Sequence, residues 1–213
     1  MNYQLPSNLL EAEEHFSNIL LNELQLNYNN KRLAINLKFE GLRMMPIAFR
    51  LVDELNSKKI KFKILWSDAG SVALAKRDKP EYIKDIMAFN DIVKEKYKPQ
   101  DDELLIAIAP QPYDYEEFLN LSSKHNGYIL MINGKLEDTA IGIGSIGRDR
   151  KKKFISSWNF IYSVEPITEG AILKAGSDIW KLYKQYPEGY KYIKEFKNKP
   201  DKDLIQEAMY EAN

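Results

Sequence analysis

The chain has no cysteine. Disulfides, thiolate nucleophiles, zinc ribbons and iron–sulfur ligation are therefore excluded, and nothing points to an oxidising compartment. Histidine is nearly as scarce: only His15 and His125 occur. They lie too far apart in sequence for a local metal motif, and each is expected to be a surface or half-buried structural residue. An excess of either charge is also missing, since 31 lysines and arginines balance 31 aspartates and glutamates. That balance argues against a dedicated nucleic-acid binder, which usually carries a strong basic surplus. No run approaches the about 18 apolar residues of a membrane span, and Met1-Asn2-Tyr3-Gln4 lacks the basic-then-apolar order of a secretion signal. A cytoplasmic, soluble, non-spanning protein is expected, one that can still touch a membrane surface.

Catalytic signatures are absent too. The chain shows no P-loop, no paired-carboxylate motif and no serine–histidine–acid set. Gly142, Gly144 and Gly147 match G-x-G-x-x-G by letter, but a dinucleotide fingerprint needs a strand before it and a helix after it. Here a charged loop follows, so a glycine-lined bend is the default. Ser145 also fails the nucleophile elbow, because Gly142 stands three residues before it where G-x-S-x-G wants two. These absences lower the expectation of an enzyme, and no cofactor or metal is assigned.

With 213 residues there is enough chain for one substantial core. Ser7 suits the N-cap of a first helix carrying Leu9, Ala12, Phe16, Leu20 and Leu24 on one face. Residues 32–39 and 60–66 alternate as strands, each with a wet face or an edge. Pro46 suits the first turn of a helix between them. The runs 104–109 and 128–132 are continuously apolar, as strands covered on both faces by helices must be, and 115–121 fits a short helix between them. This strand–helix alternation indicates a parallel sheet with right-handed crossovers.

After Gly134 the style changes. Residues 154–164 alternate strictly, with Phe154, Trp158, Phe160 and Tyr162 on one face, and should form one long strand whose aromatic face is core. Residues 171–175 can pair back across a turn. Residues 179–185 and 190–196 flank Tyr-Pro-Glu-Gly as a hairpin with a four-residue loop, and Pro200 opens a closing helix. The 79–100 stretch, charged and helix-compatible, is the least readable. The expectation is one α/β domain over 1–213, a three-layer Rossmann-like sheet. Its 1–134 part is parallel, and residues 135–213 extend it with antiparallel strands and the closing helix.

Two sets of residues are candidates for function. Asp68, Gly70, Ser71, Gln111 and Asn133 each fall just past the C-terminal end of an apolar run, where open α/β sheets place their ligands. With Gly142, Gly144 and Arg148 closing over them, they form a candidate site for a nucleotide or another phosphorylated small molecule. Asp68 has an ordinary reading as well, as the cap of the helix that follows it. The second set is Arg148, Arg150, Lys151, Lys152 and Lys153, five positive charges against Asp149. It can grip an anionic headgroup or an acidic partner, or simply be a solvated tip.

The order of motifs resembles a cyanobacterial and plastid family of unknown function. Its plant members include the low photosystem II accumulation 3 protein and the C-terminal tail of a plastid adenylate kinase. The resemblance rests on Leu5-Pro6, the segment from Ser67 to Ala75, Ala109-Pro110-Gln111, Asn133 with Leu136-Glu137-Asp138, Gly142 to Gly147 followed by Arg148, and Phe154 to Tyr162. It covers almost the whole chain. The chain departs from it at Gly134-Lys135, where many relatives are expected to carry proline and arginine. The resemblance implies an auxiliary, non-enzymatic factor for photosystem II assembly or thylakoid biogenesis. Its partners would be assembly components or the thylakoid surface, and it brings no established catalytic residues.

Overall fold

The computed structural model describes residues 3–26, 30–94, 96–136, 153–176 and 179–212. In chain order the first half holds α1 (Leu9–Leu26), β1 (Arg32–Leu37), α2 (Met44–Ser57), β2 (Phe62–Trp66) and α3 (Ala69–Asp78). It continues with β3 (Ile86–Ala88), α4 (Phe89–Val93), β4 (Leu104–Ile108), α5 (Tyr115–Lys124) and β5 (Ile129–Ile132). The remainder holds β6 (Asn159–Ile167), β7 (Gly170–Ala175), β8 (Trp180–Tyr186), β9 (Gly189–Phe196) and α6 (Lys202–Glu211). The architecture is mixed α/β, with parallel strands early and antiparallel strands late, as the alternation and its loss after Gly134 imply.

Two compact units share the chain. One comprises residues 28–34 and 43–159, the other 1–27, 35–42 and 160–213, so β1 contributes to both. In the first unit the strand order is β3-β2-β4-β5, all parallel, and the start of β1 follows β5 through the Ile129 N–H on the Lys31 carbonyl. Every residue of β2, β4 and β5 is buried, because helices cover both faces of such a sheet. Phe118 of α5 stacks on Trp158 at 5.2 Å and meets Phe89 at 5.8 Å and Phe154 at 6.2 Å. Trp158 is thus core, whereas Phe154, read with it as part of one buried aromatic strand face, is half-buried.

Four expectations change here. β2 has no wet face: Lys63 is buried because its ammonium bonds Asp85 at 2.6 Å and approaches Glu103 at 3.6 Å. The 79–100 stretch supplies a 3₁₀ turn at Pro80–Tyr82, then β3 on the edge beside β2 and the short α4. Three-residue strands carry too little periodicity to read. Residues 153–156 are helical rather than the start of a long strand, so β6 begins only at Asn159. Local bonds from the Ser156 and Ser157 hydroxyls to the carbonyls of Lys153 and Phe154 favour the turn over the strand. Finally, Asn8 rather than Ser7 caps α1, accepting the Glu11 N–H at 3.0 Å, while Ser7 bonds back to the Glu11 carboxylate.

In the second unit the order is β1-β6-β7-β8-β9, antiparallel from β6 onward. The Lys38 N–H on the Val164 carbonyl ties the end of β1 to β6. The β8–β9 ladder closes down to Tyr186 opposite Gly189, leaving two loop residues instead of four. Gly189 takes φ +121°, which few other residues tolerate. α6 is capped by Asp201 and packs Ala208, Ile205 and Met209 against Ile172, Trp180 and Leu182.

One charge is built into this antiparallel unit. Glu165 of β6 is buried, and its carboxylate accepts from Lys199 at 2.7 and 2.9 Å, Lys38 at 2.9 Å, Ser163 at 2.9 Å and Asn36 at 3.2 Å. Burial alone would push this carboxyl up, but the bonds and charges of Lys199 and Lys38 outweigh it and hold the group below its ordinary range. The unfolded carboxyl therefore takes up its proton first as pH falls. The stability this group contributes is complete above the ordinary glutamate range and lost as pH drops through the lower folded value. Glu165→Gln should cost about 2 kcal/mol at neutral pH. It should also flatten the fall in urea stability between about pH 5 and pH 3. A variant whose pH profile parallels the parent's would remove Glu165 from the acid response.

Candidate functional site

β2, β4 and β5 lie side by side in register, Leu65 beside Ala107 and Ala107 beside Met131. Their C-terminal ends therefore form one rim, and the turns leaving it, with the first turn of α3, carry five of the residues singled out in the sequence: Asp68, Gly70, Ser71, Gln111 and Asn133. Asp68 leaves β2 in an extended conformation and caps α3. Its Oδ1 accepts the Ser71 N–H at 2.8 Å and its Oδ2 the Ser71 hydroxyl at 2.7 Å. Those bonds hold its carboxyl below the usual range. Gly70 suits this cap, because a Cβ there would stand 3.0 Å from Asp68 Oδ1.

At the end of β4 the backbone turns sharply. Ala109 takes φ +46° in the left-handed region, a strained choice for a residue with a Cβ. Gln111 supports the turn with its own side chain, Nε2 donating to the Ala109 carbonyl at 2.7 Å. Its backbone N–H donates to Asp114 Oδ2 at 2.6 Å. At the end of β5, Asn133 also takes a positive φ, +51°, and its amide contacts the Met44 sulfur at 3.4 Å. The Lys135 N–H on the Pro110 carbonyl, at 2.8 Å, stitches this turn to the one after β4.

The rim also holds a residue the sequence reading missed. Asp114 is buried, and burial pushes its carboxyl up. The charges of Glu117 and Asp68 add to that rise, while the Gln111 N–H opposes it. The available signal was its place three residues after Gln111, where an acid bonds back to the turn's first N–H. Asp68, Asp114 and Glu117 give the rim acidic character, and among the described residues no lysine or arginine is paired with Asp68 or Asp114. Gly142, Gly144, Arg148, Arg150, Lys151 and Lys152 lie outside the described residues. Lys153 is described: it is exposed, in the helical turn 153–156.

A second polar cluster occupies the opposite end of the same strands. Besides Lys63, the Glu103 carboxylate accepts the Tyr97 hydroxyl at 2.6 Å on both oxygens and the Gln100 N–H at 2.8 Å. Burial, with the bond to Glu103, pushes Tyr97 up to about 12 against the opposing charge of Lys63. His125 Nε2 lies 3.1 Å from the Glu103 carbonyl, and burial lowers its pKa, so the ring is neutral near pH 7. Beside it Arg32 donates to the carbonyls of Ser122, His125 and Gly127, gathering the end of α5 and the entry to β5. The charged groups satisfy one another, which is what buried ions require to persist, whereas His125, expected at the surface or half-buried, is fully buried and its Nδ1 has no hydrogen-bond partner among the described residues.

Whole-chain comparison gives the same segments a context. The model of the family described as Domain of unknown function (DUF1995) matches residues 6–207. The chain belongs to that family. No curated protein and no solved structure matches the chain. In this DUF1995 member the matched span contains the described rim, the residues 137–152 and every described strand. No described helix is long and apolar enough to cross a membrane.

The capping role of Asp68 and its coupling to Asp114 are separable by substitution. Asp68→Ala should cost about 1 kcal/mol by leaving the first amides of α3 without their acceptor, whereas Asp68→Asn should cost less, since asparagine caps equally well. Either change removes a negative charge near Asp114, so the Asp114 pKa should fall. A carboxyl-carbon NMR titration reads this directly, and an unmoved Asp114 would show that the two carboxylates do not sense each other.

Proposed function

We propose that this DUF1995 protein is a non-enzymatic auxiliary factor for photosystem II assembly or thylakoid biogenesis, working at a membrane surface without spanning it. The observation that carries the reading is how the rim spends its polar groups. Asp68 caps a helix, the Gln111 side chain props its own turn, and the Asn133 amide rests on a methionine sulfur. The first two are local capping and turn-building tasks, and the third ties the turn after β5 to the start of α2. The photosynthetic setting comes from the ordered resemblance to the plant low photosystem II accumulation factor and the plastid adenylate kinase tail. The contact is assigned to Arg148, Arg150, Lys151, Lys152 and Lys153. Each basic residue near an anionic leaflet contributes on the order of 1 kcal/mol, so five can localise a protein with no lipid anchor. Reversing all five charges should shift the protein out of the membrane fraction in flotation with anionic vesicles. An unchanged partition would remove the run from the account.

A second reading is favoured by a specific feature, the convergence of Asp68, Ser71, Gln111 and Asn133 on adjacent strand ends. Ligands settle at such rims in open α/β sheets. Because Asp68 and Asp114 make the rim acidic, a phosphorylated ligand would have to draw its cations from Arg148 and its neighbours, with Gly142 and Gly144 giving its backbone room. A nucleotide or sugar phosphate at about 100 times its dissociation constant would add about 2.7 kcal/mol of stability. That is a thermal shift of several degrees. A flat screen against both classes would leave the rim as turn chemistry.

A further inference from the structure

The two ends of the strand orders differ in kind. β3 is three residues long, the short edge that soluble proteins usually keep, whereas β9 is an edge of eight residues, Gly189–Phe196, paired on one side to β8. Among the described residues no strand pairs with its other side. A long free edge offers a row of backbone donors and acceptors to any extended chain that reaches it. On one face of that edge Tyr190 and Tyr192 stand two residues apart and 47% and 50% exposed, Tyr192 set edge-on against the buried Tyr183 at 6.0 Å. Exposed tyrosines of this kind are enriched where proteins meet.

Charge decides what fits. Lys191, Lys194 and Lys197 line the strand and its exit, where Glu195 is the one acid in the segment. Lys191 also reaches Glu188 at 3.8 Å and Lys194 reaches Glu211 at 3.1 Å, exposed pairs that water screens. A second copy of this chain is a poor occupant. Antiparallel self-pairing about Tyr192 and Ile193 sets Lys191 opposite Lys194, and pairing about Lys194 sets Lys191 opposite Lys197; the register about Ile193 sets Lys191 opposite Glu195 but centres the ladder on the bulge. Like charges directly opposite are destabilising. Ile193 is moreover the extra residue of a bulge, since the ladder steps from Tyr192 opposite Tyr183 to Lys194 opposite Leu182. Bulges and lysines together protect an edge from its own kind. They leave it open to an acidic strand.

We propose that the free edge of β9 is a docking strand for an extended acidic segment of a partner protein, which adds to the antiparallel unit beside Tyr190 and Tyr192. This goes beyond the membrane-contact reading, rests on different residues, and stands or falls separately from it. The test is hydrogen-exchange NMR on the full chain with an acetylated octapeptide of alternating glutamate and valine. The matching lysine–valine peptide serves as the control. Exchange should slow at the amides of β9 that point away from β8, for the acidic peptide only. The Lys191→Glu/Lys197→Glu variant, whose fold is checked by its unchanged β8–β9 cross-peaks, should weaken binding by at least about tenfold. Any of three results would overturn the proposal: no new protection in β9, equal binding of the lysine peptide, or β9 protection that appears with protein concentration alone and so reports a second copy.

Discussion

Burial on both faces of β2, β4 and β5 is the constraint from which the rest of the parallel unit follows. Of the fourteen residues in these three strands only Lys63 is charged, and every one is buried. A strand with no wet face has nowhere along its length to keep polar groups. They are displaced to its ends. At the entry side this gives Arg32, Lys63, Asp85, Tyr97, Glu103 and His125, a network in which each charge meets a counter-charge or several carbonyls. At the exit side it gives the turns of Asp68, Gln111, Asp114 and Asn133. Rim and network answer one demand, and differ in that the network is closed on itself while the rim opens on acidic groups.

The antiparallel unit solves the opposite problem. Its ladder can keep one face wet, so it has no need to banish charge, and Glu165 sits within β6 itself. Five hydrogen bonds surround that carboxylate. Two come from Lys199, just past β9, and one from Lys38, just past β1, so the group holds together segments distant in sequence. The two lysines keep about half of their side-chain surface in water, which limits what their desolvation costs and leaves most of that cost with the buried carboxylate. Tyr162 on the same strand shows the other outcome. It packs between Phe16 and His15, with ring centroids 6.2 Å from each, and burial raises its hydroxyl far above the usual value.

Long apolar periodicity was legible in the sequence, and bonds between distant residues were not. The runs at 104–109 and 128–132 announced paired central strands because a doubly buried strand leaves a continuous apolar signature. The change of style after Gly134 announced the antiparallel part for the same reason. Lys63 misled because alternation with lysine reads as a wet face unless its partners Asp85 and Glu103, 22 and 40 positions away, are known to arrive. Glu165 was silent for that reason too: nothing local announces Lys199. Strict alternation over 154–164 overran its true start because Ser156 and Ser157 offer the backbone a local hydrogen-bonded turn. At the rim, the positions of Asp68, Gln111 and Asn133 past their strands were readable, whereas the buried state of Asp114 needed the turn geometry.

A net charge of zero conceals how the charges are distributed. Residues 180–199 contain six lysines and two glutamates, and residues 148–153 five basic residues and one acidic. The surplus is cancelled in part locally, by Glu211 of α6 at 3.1 Å from Lys194, and in part elsewhere, by the aspartates and glutamates of the rim turns. Cancellation over the whole molecule does not cancel the local field, because screening at physiological salt confines each charge's influence to about 8 Å. Segregated charge of this kind sets partner choice and encounter rate more than raw affinity. An acidic rim and basic segments therefore suit a protein that selects surfaces by sign at more than one place. That charge pattern is the physical ground on which the proposed interaction role rests.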